Sequence, residues 1–187
     1  MNSLLSQPSL ISFFAGIGGI DLGFTQAGFQ VVAAYDIDPY AVQTYQHNVS
    51  PRTQRMDIRT MTWQDLPTAE VWSFGFPCQD LSQAGHQQGM RMSCLDCHHE
   101  FDYMDYLAHD RRYPVCQGQA LQTATRSGLF FEVMRLLDAC RTHAPEKVPK
   151  VLIAENVKQL RKYLDVLKEE YTFRGYAMHA QLFNSKY

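Results

Sequence analysis

The segment Leu10-Ile11-Ser12-Phe13-Phe14-Ala15-Gly16-Ile17-Gly18-Gly19 joins a short apolar run to a turn that contains three glycines. Such a run is typical of a buried strand. A helical pattern follows, with Ile20, Phe24 and Ala27 on one face, and Gly28 ends it. Glycine lets the backbone approach a ligand, and the start of a helix offers free N–H groups. The segment predicts a strand, a nucleotide-type cradle and a helix, although such glycines can also serve only to make the turn.

A second apolar run, residues 30–35, ends in Asp36-Ile37-Asp38-Pro39. Asp38 precedes a proline, which is the arrangement of an N-cap followed by the first residue of a helix. Asp36 lies where a doubly wound domain places a carboxylate on ribose hydroxyls. The alternative is that both carboxylates only cap the helix.

Apolar runs alternate with helical patterns along most of the chain, and residues 127–143 form the longest of these helical patterns, with Cys140 on its apolar face. This order predicts an α/β fold, in which a mostly parallel, doubly wound sheet is covered by helices on both faces. The predicted strands are residues 10–14, 30–35, 55–58, 71–74, 151–154 and 176–183. Polar residues follow the first five strands at their carboxyl ends, where such sheets bind ligands. They are the Gly16 turn, Asp36, Asp57, Cys78 and Glu155.

The fourth strand, residues 71–74, runs into Gly75-Phe76-Pro77-Cys78-Gln79. Gly75 permits close backbone approach, and Pro77 fixes one backbone angle before the thiol. We therefore expect Cys78 to be held beyond the carboxyl end of a strand, where it can react. The alternative is a buried structural cysteine, which is the commoner role of this residue.

The composition is that of a globular protein, because 45% of the 187 residues are apolar and 12% are aromatic. No apolar run approaches the roughly 20 residues of a membrane span. The five cysteines are an odd number, and we expect an intracellular, cytoplasmic protein whose thiols serve a metal or catalysis. A formal charge of −2 gives no general attraction for nucleic acid, so a DNA partner requires a local basic patch or further protein.

Three segments, in this order, resemble motifs of the DNA (cytosine-5)-methyltransferases: Phe14-Ala15-Gly16-Ile17-Gly18-Gly19, Gly75-Phe76-Pro77-Cys78-Gln79 and Glu155-Asn156-Val157. Residues 126–132 resemble the motif that lies between the last two. The resemblance implies a Rossmann-like, S-adenosylmethionine-dependent methyltransferase fold, with one catalytic domain over residues 1–187. It also implies methylation of carbon 5 of cytosine in double-stranded DNA and restriction-modification in a prokaryotic or phage-infected cell.

The chemistry explains why the family uses a cysteine and a carboxyl group. By resemblance, the Cys78 thiolate adds to carbon 6 of the base, and Glu155 bonds to N3 and stabilises the charge that develops. Asn156 helps to fix the loop. The target cytosine has to leave the duplex, because a side chain cannot reach carbon 6 in stacked DNA.

The resemblance also implies the residues that hold S-adenosylmethionine. Two positions depart from the family pattern: Ser12 stands where an acid is frequent, and Asp36 stands where Glu is more usual. The implied cofactor residues are Phe14, Gly16, Ile17, Gly18, Gly19, Asp36, Ile37, Asp57, Ile58, Pro77 and Leu129.

An insertion relative to the family, at about residues 86–125, contains a C-x-x-C pair and a later cysteine. A structural zinc site of Cys94, Cys97, His109 and Cys116 is one interpretation, although Tyr113 stands where a second pair would begin. A metal-free loop is the alternative.

The chain ends before the Gln-Arg-x-Arg motif and the target-recognition domain of the family, so we expect a sheet that is incomplete at the C-terminus. A fragment, a subunit that needs a partner subunit, and an inactive copy are all compatible with this. Two other functions stay open: a catalytically silent module that binds S-adenosylmethionine and DNA, and a tRNA cytosine-5 methyltransferase. A dehydrogenase is weaker, since it leaves Cys78 and Glu155 without a role.

Overall fold

The computed structural model describes residues 7–77, 91–94, 96–103, 121–123 and 127–183. The chain divides into two compact units: unit 1 comprises Met1–Phe76 and Leu129–Glu155, and unit 2 comprises Pro77–Gly128 and Asn156–Tyr187. The strands are β1 (Ser9–Phe13), β2 (Gln30–Asp36), β3 (Thr53–Arg55), β4 (Val71–Phe74), β5 (Arg91–Cys94), β6 (Glu100–Asp102), β7 (Leu121–Thr123) and β8 (Val151–Ala154). The α-helices are α1 (Gly19–Gln26), α2 (Pro39–Asn48), α3 (Phe130–His143) and α4 (Leu164–Phe173).

Unit 1 is built on a five-stranded sheet with the order β3-β2-β1-β4-β8. All four strand pairs are parallel. Since β1 pairs with both β2 and β4, the strand order reverses direction at β1, as in a doubly wound fold. The predicted α/β, Rossmann-like architecture is confirmed.

The central strands of this sheet are buried on both faces, which is why they appear as nearly continuous apolar runs. Leu10 and Ile11 in β1 are fully buried. The Phe13 ring lies between Tyr35 of β2 and Trp72 of β4, with centroid distances of 5.8 and 5.3 Å. Aromatic pairs at such distances stabilise a core beyond the area that they bury.

Helix α3 covers the sheet with the apolar face that its sequence predicts. Phe130, Val133, Leu137 and Cys140 are all buried. The Phe130 ring packs 5.5 Å from that of Phe76, just after β4. Burial raises the pKa of the Cys140 thiol, which disfavours the thiolate. Cys140 is a core residue, as predicted.

Of the three residues predicted to form the apolar face of α1, only Phe24 packs against the hydrophobic core. The buried residue of this helix is Asp21, whereas Ile20 is 40% exposed and Ala27 is also exposed. Phe24 is only half-buried, and its ring packs against Phe29. The helix can bury an acid because Asp21 has a hydrogen-bond partner on α2. Hydrophobic periodicity carries no information about such a pair.

Two strand predictions also need correction. The third strand is Thr53–Arg55 rather than residues 55–58, because Asp57 caps a 3₁₀ helix that begins at Ile58. Residues 176–183 do not form a strand, although Gly175 makes the expected turn with a φ of +75°. An alternating pattern becomes a strand only when a neighbour pairs with its backbone, and the described part of the chain supplies none there.

Unit 2 contains secondary structure that the sequence pattern did not predict. Strand β5 pairs antiparallel with both β6 and β7, which gives the order β6-β5-β7. Between β5 and β6 the hairpin is closed by the Cys94 N–H, which donates to the His99 carbonyl at 3.1 Å. None of the helices in the described ranges combines the length and apolar character that crossing a bilayer requires.

A buried charged cluster joins α4 to the segment that follows β6. The Tyr103 hydroxyl donates to Glu170 Oε1 at 2.8 Å, and Arg174 Nη1 donates to Glu170 Oε2 at 2.6 Å. Glu170 is 1% exposed and Arg174 is 8% exposed. Removing one partner of a buried ion pair leaves an uncompensated charge.

We therefore expect Arg174→Met to destabilise the protein by about 3–5 kcal/mol. Tyr103→Phe should cost about 1–3 kcal/mol, because it removes a neutral donor. Lys150→Met, which breaks the exposed pair between Lys150 and Glu70, is the control and should change little. Urea denaturation midpoints measure all three, and equal losses for Arg174→Met and Lys150→Met would contradict the buried cluster.

Candidate functional site

The glycine turn after β1 has two kinds of glycine. Gly18 has a φ of +93°, and a Cβ built there would lie 2.7 Å from side-chain atoms of Tyr45 and Val49. Only glycine fits this position without displacing α2. A Cβ added at Gly16 or Gly19 would meet nothing within 4 Å. Gly18 therefore sets the turn against α2, and Gly16 and Gly19 leave open space beside the backbone.

Phe14 is the residue that connects β1 to this turn, and its backbone is unusual. Its φ of +54° is in the left-handed region, which a residue with a large side chain rarely adopts. Such conformations cost on the order of 1–3 kcal/mol and are concentrated at binding and active sites. The Phe14 side chain is half-buried at the predicted cofactor site.

Asp36 links the loops after β1 and β2. Its Oδ2 accepts the Gly16 N–H at 2.7 Å, and its Oδ1 accepts the Asp38 N–H at 2.9 Å. A carboxylate has about four acceptor positions, so two of them remain for another donor pair such as the hydroxyls of a ribose. Asp38 has a separate role, because its Oδ1 accepts from Tyr40 N and Ala41 N and caps α2 as predicted.

The start of α1 leaves backbone donors open. Its N-cap is Gly18, which has no side chain with which to cap the helix. The first-turn N–H groups of a helix have no intrahelical acceptor and favour an anionic group. Large apolar side chains on the neighbouring loops are also exposed: Ile17 at 64% and Ile37 at 53%. These donors and apolar groups fit a ligand with both a charged and an apolar part.

The loop that follows β3 contains the carboxylate of Asp57. Asp57 caps the 3₁₀ helix through the Arg59 N–H and also pairs with the Arg59 guanidinium, which lowers the pKa of the Asp57 carboxyl. Ile58 beside it is buried. The Met56 N–H donates to the Asp36 carbonyl at 2.9 Å, so this loop adjoins the one that carries Asp36.

Tyr45 packs against the glycine turn and forms a hydrogen bond to α1. The sequence did not indicate this role. Its ring lies against Gly18, and its hydroxyl donates to Asp21 Oδ2 in the first turn of α1 at 2.6 Å. Both side chains are buried. Burial raises the pKa of Asp21, while hydrogen bonds from Tyr45 and Ser12 lower it in part. The one hint in the sequence was an acid between the apolar residues of α1.

Glu155, directly after β8, reaches this same region of unit 1. Its N–H donates to the Phe74 carbonyl at the end of β4, at 3.1 Å. Its Oε2 lies 3.4 Å from the position of a Cβ on Gly75, and Ile20 Cδ1 of α1 lies 4.0 Å from the same point. The exposed carboxyl group therefore lies against Gly75, in the segment that leads to Cys78, and Ile20 of α1 approaches the same glycine.

The remaining predicted catalytic and cofactor residues lie in unit 2, outside the described residues, or beside α3. Cys78 lies outside the described residues. Pro77 and Asn156 belong to unit 2, where Asn156 Oδ1 accepts the Val157 N–H at 2.8 Å. Leu129 is half-buried just before α3 in unit 1.

The predicted metal ligands receive no support from the described residues. Cys94 is buried and Cys97 is exposed on the hairpin between β5 and β6. His109 and Cys116 lie outside the described residues. Within the ranges that the structure describes, no three His, Cys, Asp or Glu side chains are grouped to hold a metal ion.

A family model, described as the C-5 cytosine-specific DNA methylase, matches residues 9–94 and 116–187. The chain belongs to this family. Between the two matched segments, residues 95–115 have no counterpart in the family model, and they lie within the predicted insertion.

Curated relatives and solved structures agree with this assignment. The orphan methyltransferase M.SPBetaI of Bacillus phage SPbeta is 32% identical over 98% of this chain and 42% of its own length. The type II methyltransferase M.NlaX of Neisseria lactamica is 33% identical over 95% of this chain and 46% of its own length. The chain thus spans less than half the length of these relatives. The fold is similar to that of the S. pombe Dnmt2 methyltransferase, with a TM-score of 0.56 and 18% identity over 90% of this chain and 40% of that one.

Gly18→Ala tests whether the turn is set by close packing on Tyr45. The variant should lose about 2–4 kcal/mol of stability, from a side chain at positive φ and from overpacking. It should also bind S-adenosylmethionine at least about tenfold more weakly, a loss of about 1.4 kcal/mol. Gly23→Ala is the matched control within α1, since a Cβ there meets nothing within 4 Å. That control should gain about 0.5–1 kcal/mol from helix propensity. Thermal unfolding and calorimetric titration measure both variants, and similar behaviour of the two would exclude the packing constraint.

Asp21→Asn tests the buried carboxyl group. Because burial raises the Asp21 pKa, the native state binds more protons than the unfolded state between the ordinary and the raised value. Stability should therefore fall as pH rises through the raised pKa. Asparagine carries no charge, and its oxygen can still accept from Tyr45. We expect the variant to be more stable than the wild type near neutral pH, with a gain that shrinks as the pH falls toward the ordinary pKa of aspartate. Urea midpoints across this range measure the difference, and a loss of stability that is independent of pH would contradict it.

Proposed function

We propose that this chain carries the cofactor-binding and catalytic region of an enzyme that methylates carbon 5 of cytosine in DNA. The observation that carries the proposal is the position of Glu155. Its carboxyl group adjoins Gly75, three residues before Cys78, and Ile20 at the start of α1 approaches the same glycine. The carboxyl group proposed for the base thus follows β8 at the edge of the parallel sheet where the predicted cofactor cradle follows β1.

The described residues fit S-adenosylmethionine. Asp36 retains acceptor positions for ribose hydroxyls, and Gly16 and Gly19 leave room for a ligand against the backbone. The open N–H groups at the start of α1 suit the carboxylate of its methionine part. Phe14, Ile37, Asp57 and Ile58 would surround the adenine, with Pro77 and Leu129 completing the wall. When bound, the cofactor supplies an activated methyl group.

Cys78 and Glu155 would act together on the base. In the proposed mechanism, the thiolate forms a bond to carbon 6 as the double bond between carbons 5 and 6 opens, and the Glu155 carboxyl stabilises the charge that develops at N3. Once carbon 5 has gained the methyl group, loss of its proton re-forms the double bond and releases the Cys78 thiolate. Three residues of chain span at most about 11 Å, so Cys78 cannot lie farther than this from Gly75. The hydrogen bond within Asn156-Val157 would fix the loop that carries Glu155.

We also propose that target recognition requires protein beyond these residues. The relatives that this chain matches are more than twice as long as the part it covers. The formal charge of −2 supplies no general attraction for DNA. A second subunit or further sequence would contribute the surface that selects the target.

Zinc in the insertion is a separate hypothesis. The ligand set would be Cys94, Cys97, His109 and Cys116, which satisfies the number and type of ligand that zinc prefers. Metal analysis of the purified protein tests it, with Cys97→Ser as the control. Equal zinc contents in the two proteins would eliminate the site.

Covalent trapping on duplex DNA that contains 5-fluorocytosine tests the proposed enzyme. With S-adenosylmethionine present, the wild type should form an adduct that survives denaturation, and Cys78→Ser should form none. Glu155→Gln should slow adduct formation by about 10²-fold or more, by analogy with the loss of one oxyanion-stabilising group. Glu146→Gln, at an exposed acid elsewhere in unit 1, should have no effect.

The assay should be run with the chain alone and with the C-terminal part of M.SPBetaI added as a separate polypeptide. Absence of an adduct in both, despite cofactor binding, would favour a catalytically silent module. An adduct formed with 5-fluorocytosine tRNA but not with DNA would assign the same chemistry to RNA.

A further inference from the structure

The lysine and arginine side chains in the described part of the chain differ in whether they have a hydrogen-bond or ion-pair partner. Five cations pair with carboxylates, and three others donate to main-chain carbonyls. Lys168, in α4, has neither kind of partner within the described ranges, and the other such cations lie together in a short segment, residues 158–162, which we call the basic segment. Its three cations, Lys158, Arg161 and Lys162, are exposed and have neither kind of partner among the described residues.

The local structure places these cations on one side. The basic segment lies in a 3₁₀ helix, Lys158–Tyr163, in which residues three apart are eclipsed. Leu160 and Tyr163 are half-buried, whereas the three cations are exposed. Residues 156–164 contain these cations and no carboxylate. Lys158 and Arg161 therefore share one ridge of the helix and Lys162 lies on the next, so the exposed side of the segment carries three cations and no carboxylate.

The position of these charges in the fold gives no evident stabilisation. Cations often stabilise the C-terminus of a helix, but here the chain continues through Leu164 into α4 without a break. Arg161 and Lys162 precede the N-terminus of α4, where the helix dipole favours anions rather than cations. Charge in this position is better explained by a partner than by the stability of unit 2.

We propose that the basic segment binds the phosphate backbone of duplex DNA beside the target base. This rests on the proposed function, because Lys158 follows Glu155 by only three residues, or at most about 11 Å of chain. A chain with a net charge of −2 has to attract DNA locally, and exposed lysine and arginine side chains are the usual phosphate donors. Phosphate contacts here would hold the strand in register for the carboxyl group without reading its sequence.

The salt dependence of DNA binding tests this. The triple variant K158Q/R161Q/K162Q should bind a duplex at least tenfold more weakly than the wild type at low salt. Its plot of log affinity against log salt should be shallower by up to about 2.7, or about 0.9 for each lost phosphate contact. The control R141Q/K150Q/K168Q makes the same change in net charge at dispersed positions and should retain most of the slope. The pair K158R/K162R keeps the charges and should bind like the wild type.

Fluorescence anisotropy with a labelled duplex measures the binding, and calorimetric titration of S-adenosylmethionine checks that each variant retains its cofactor site. Equal losses in the two triple variants, or no binding by the wild type at low salt, would overturn the assignment. A loss confined to tRNA would overturn its assignment to duplex DNA. If the wild type fails to trap 5-fluorocytosine but the slope still depends on the basic segment, then the proposed catalysis fails and the DNA contact stands.

Discussion

The hydrogen bond from the Gly16 N–H to the Asp36 carboxylate is the interaction on which the candidate site depends. It joins the loops that leave β1 and β2, which pair in parallel in the sheet of unit 1. The second oxygen of Asp36 holds its own loop through the Asp38 N–H. The Asp36 side chain thus fixes both loops of the predicted cofactor cradle. Its remaining acceptor positions would be available to a ligand. In the proposed cofactor site, the same charged group would both position the loops and recognise the ligand.

This arrangement needs a rigid support, which Tyr45 provides. Its ring occupies the space that a side chain at Gly18 would require, and its hydroxyl holds Asp21 in the first turn of α1. A buried carboxyl group is costly because its charge is desolvated, as its raised pKa indicates. That cost is consistent with a role in orienting α1 against α2. The open N–H groups of α1 and the capped start of α2 are thereby held in a fixed relation.

The parts of this structure that follow one-dimensional patterns could be predicted from the sequence. Continuous apolar runs marked β1, β2, β4 and β8, and the Asp38-Pro39 pair marked the start of α2. The inner face of α1 could not be predicted, because its buried residue is an acid whose partner lies 24 positions away on another helix. The strand expected at residues 176–183 failed for a related reason, since a strand is defined by its neighbour.

The proposed reaction requires an acidic side chain to approach negatively charged DNA, so the charges around Glu155 matter. A carboxyl group that has to meet a base inside a polyanion is repelled by the phosphates around that base, and the chain as a whole is also negative. Within unit 1, Asp57 and Glu70 are compensated by Arg59 and Lys150, but those cations are then unavailable to a partner. Free positive charge is most effective close to the approaching carboxyl group, because attraction between exposed charges is screened beyond about 10 Å. A basic segment that begins three residues after Glu155 meets this requirement, and its cations have no carboxylate partner among the described residues.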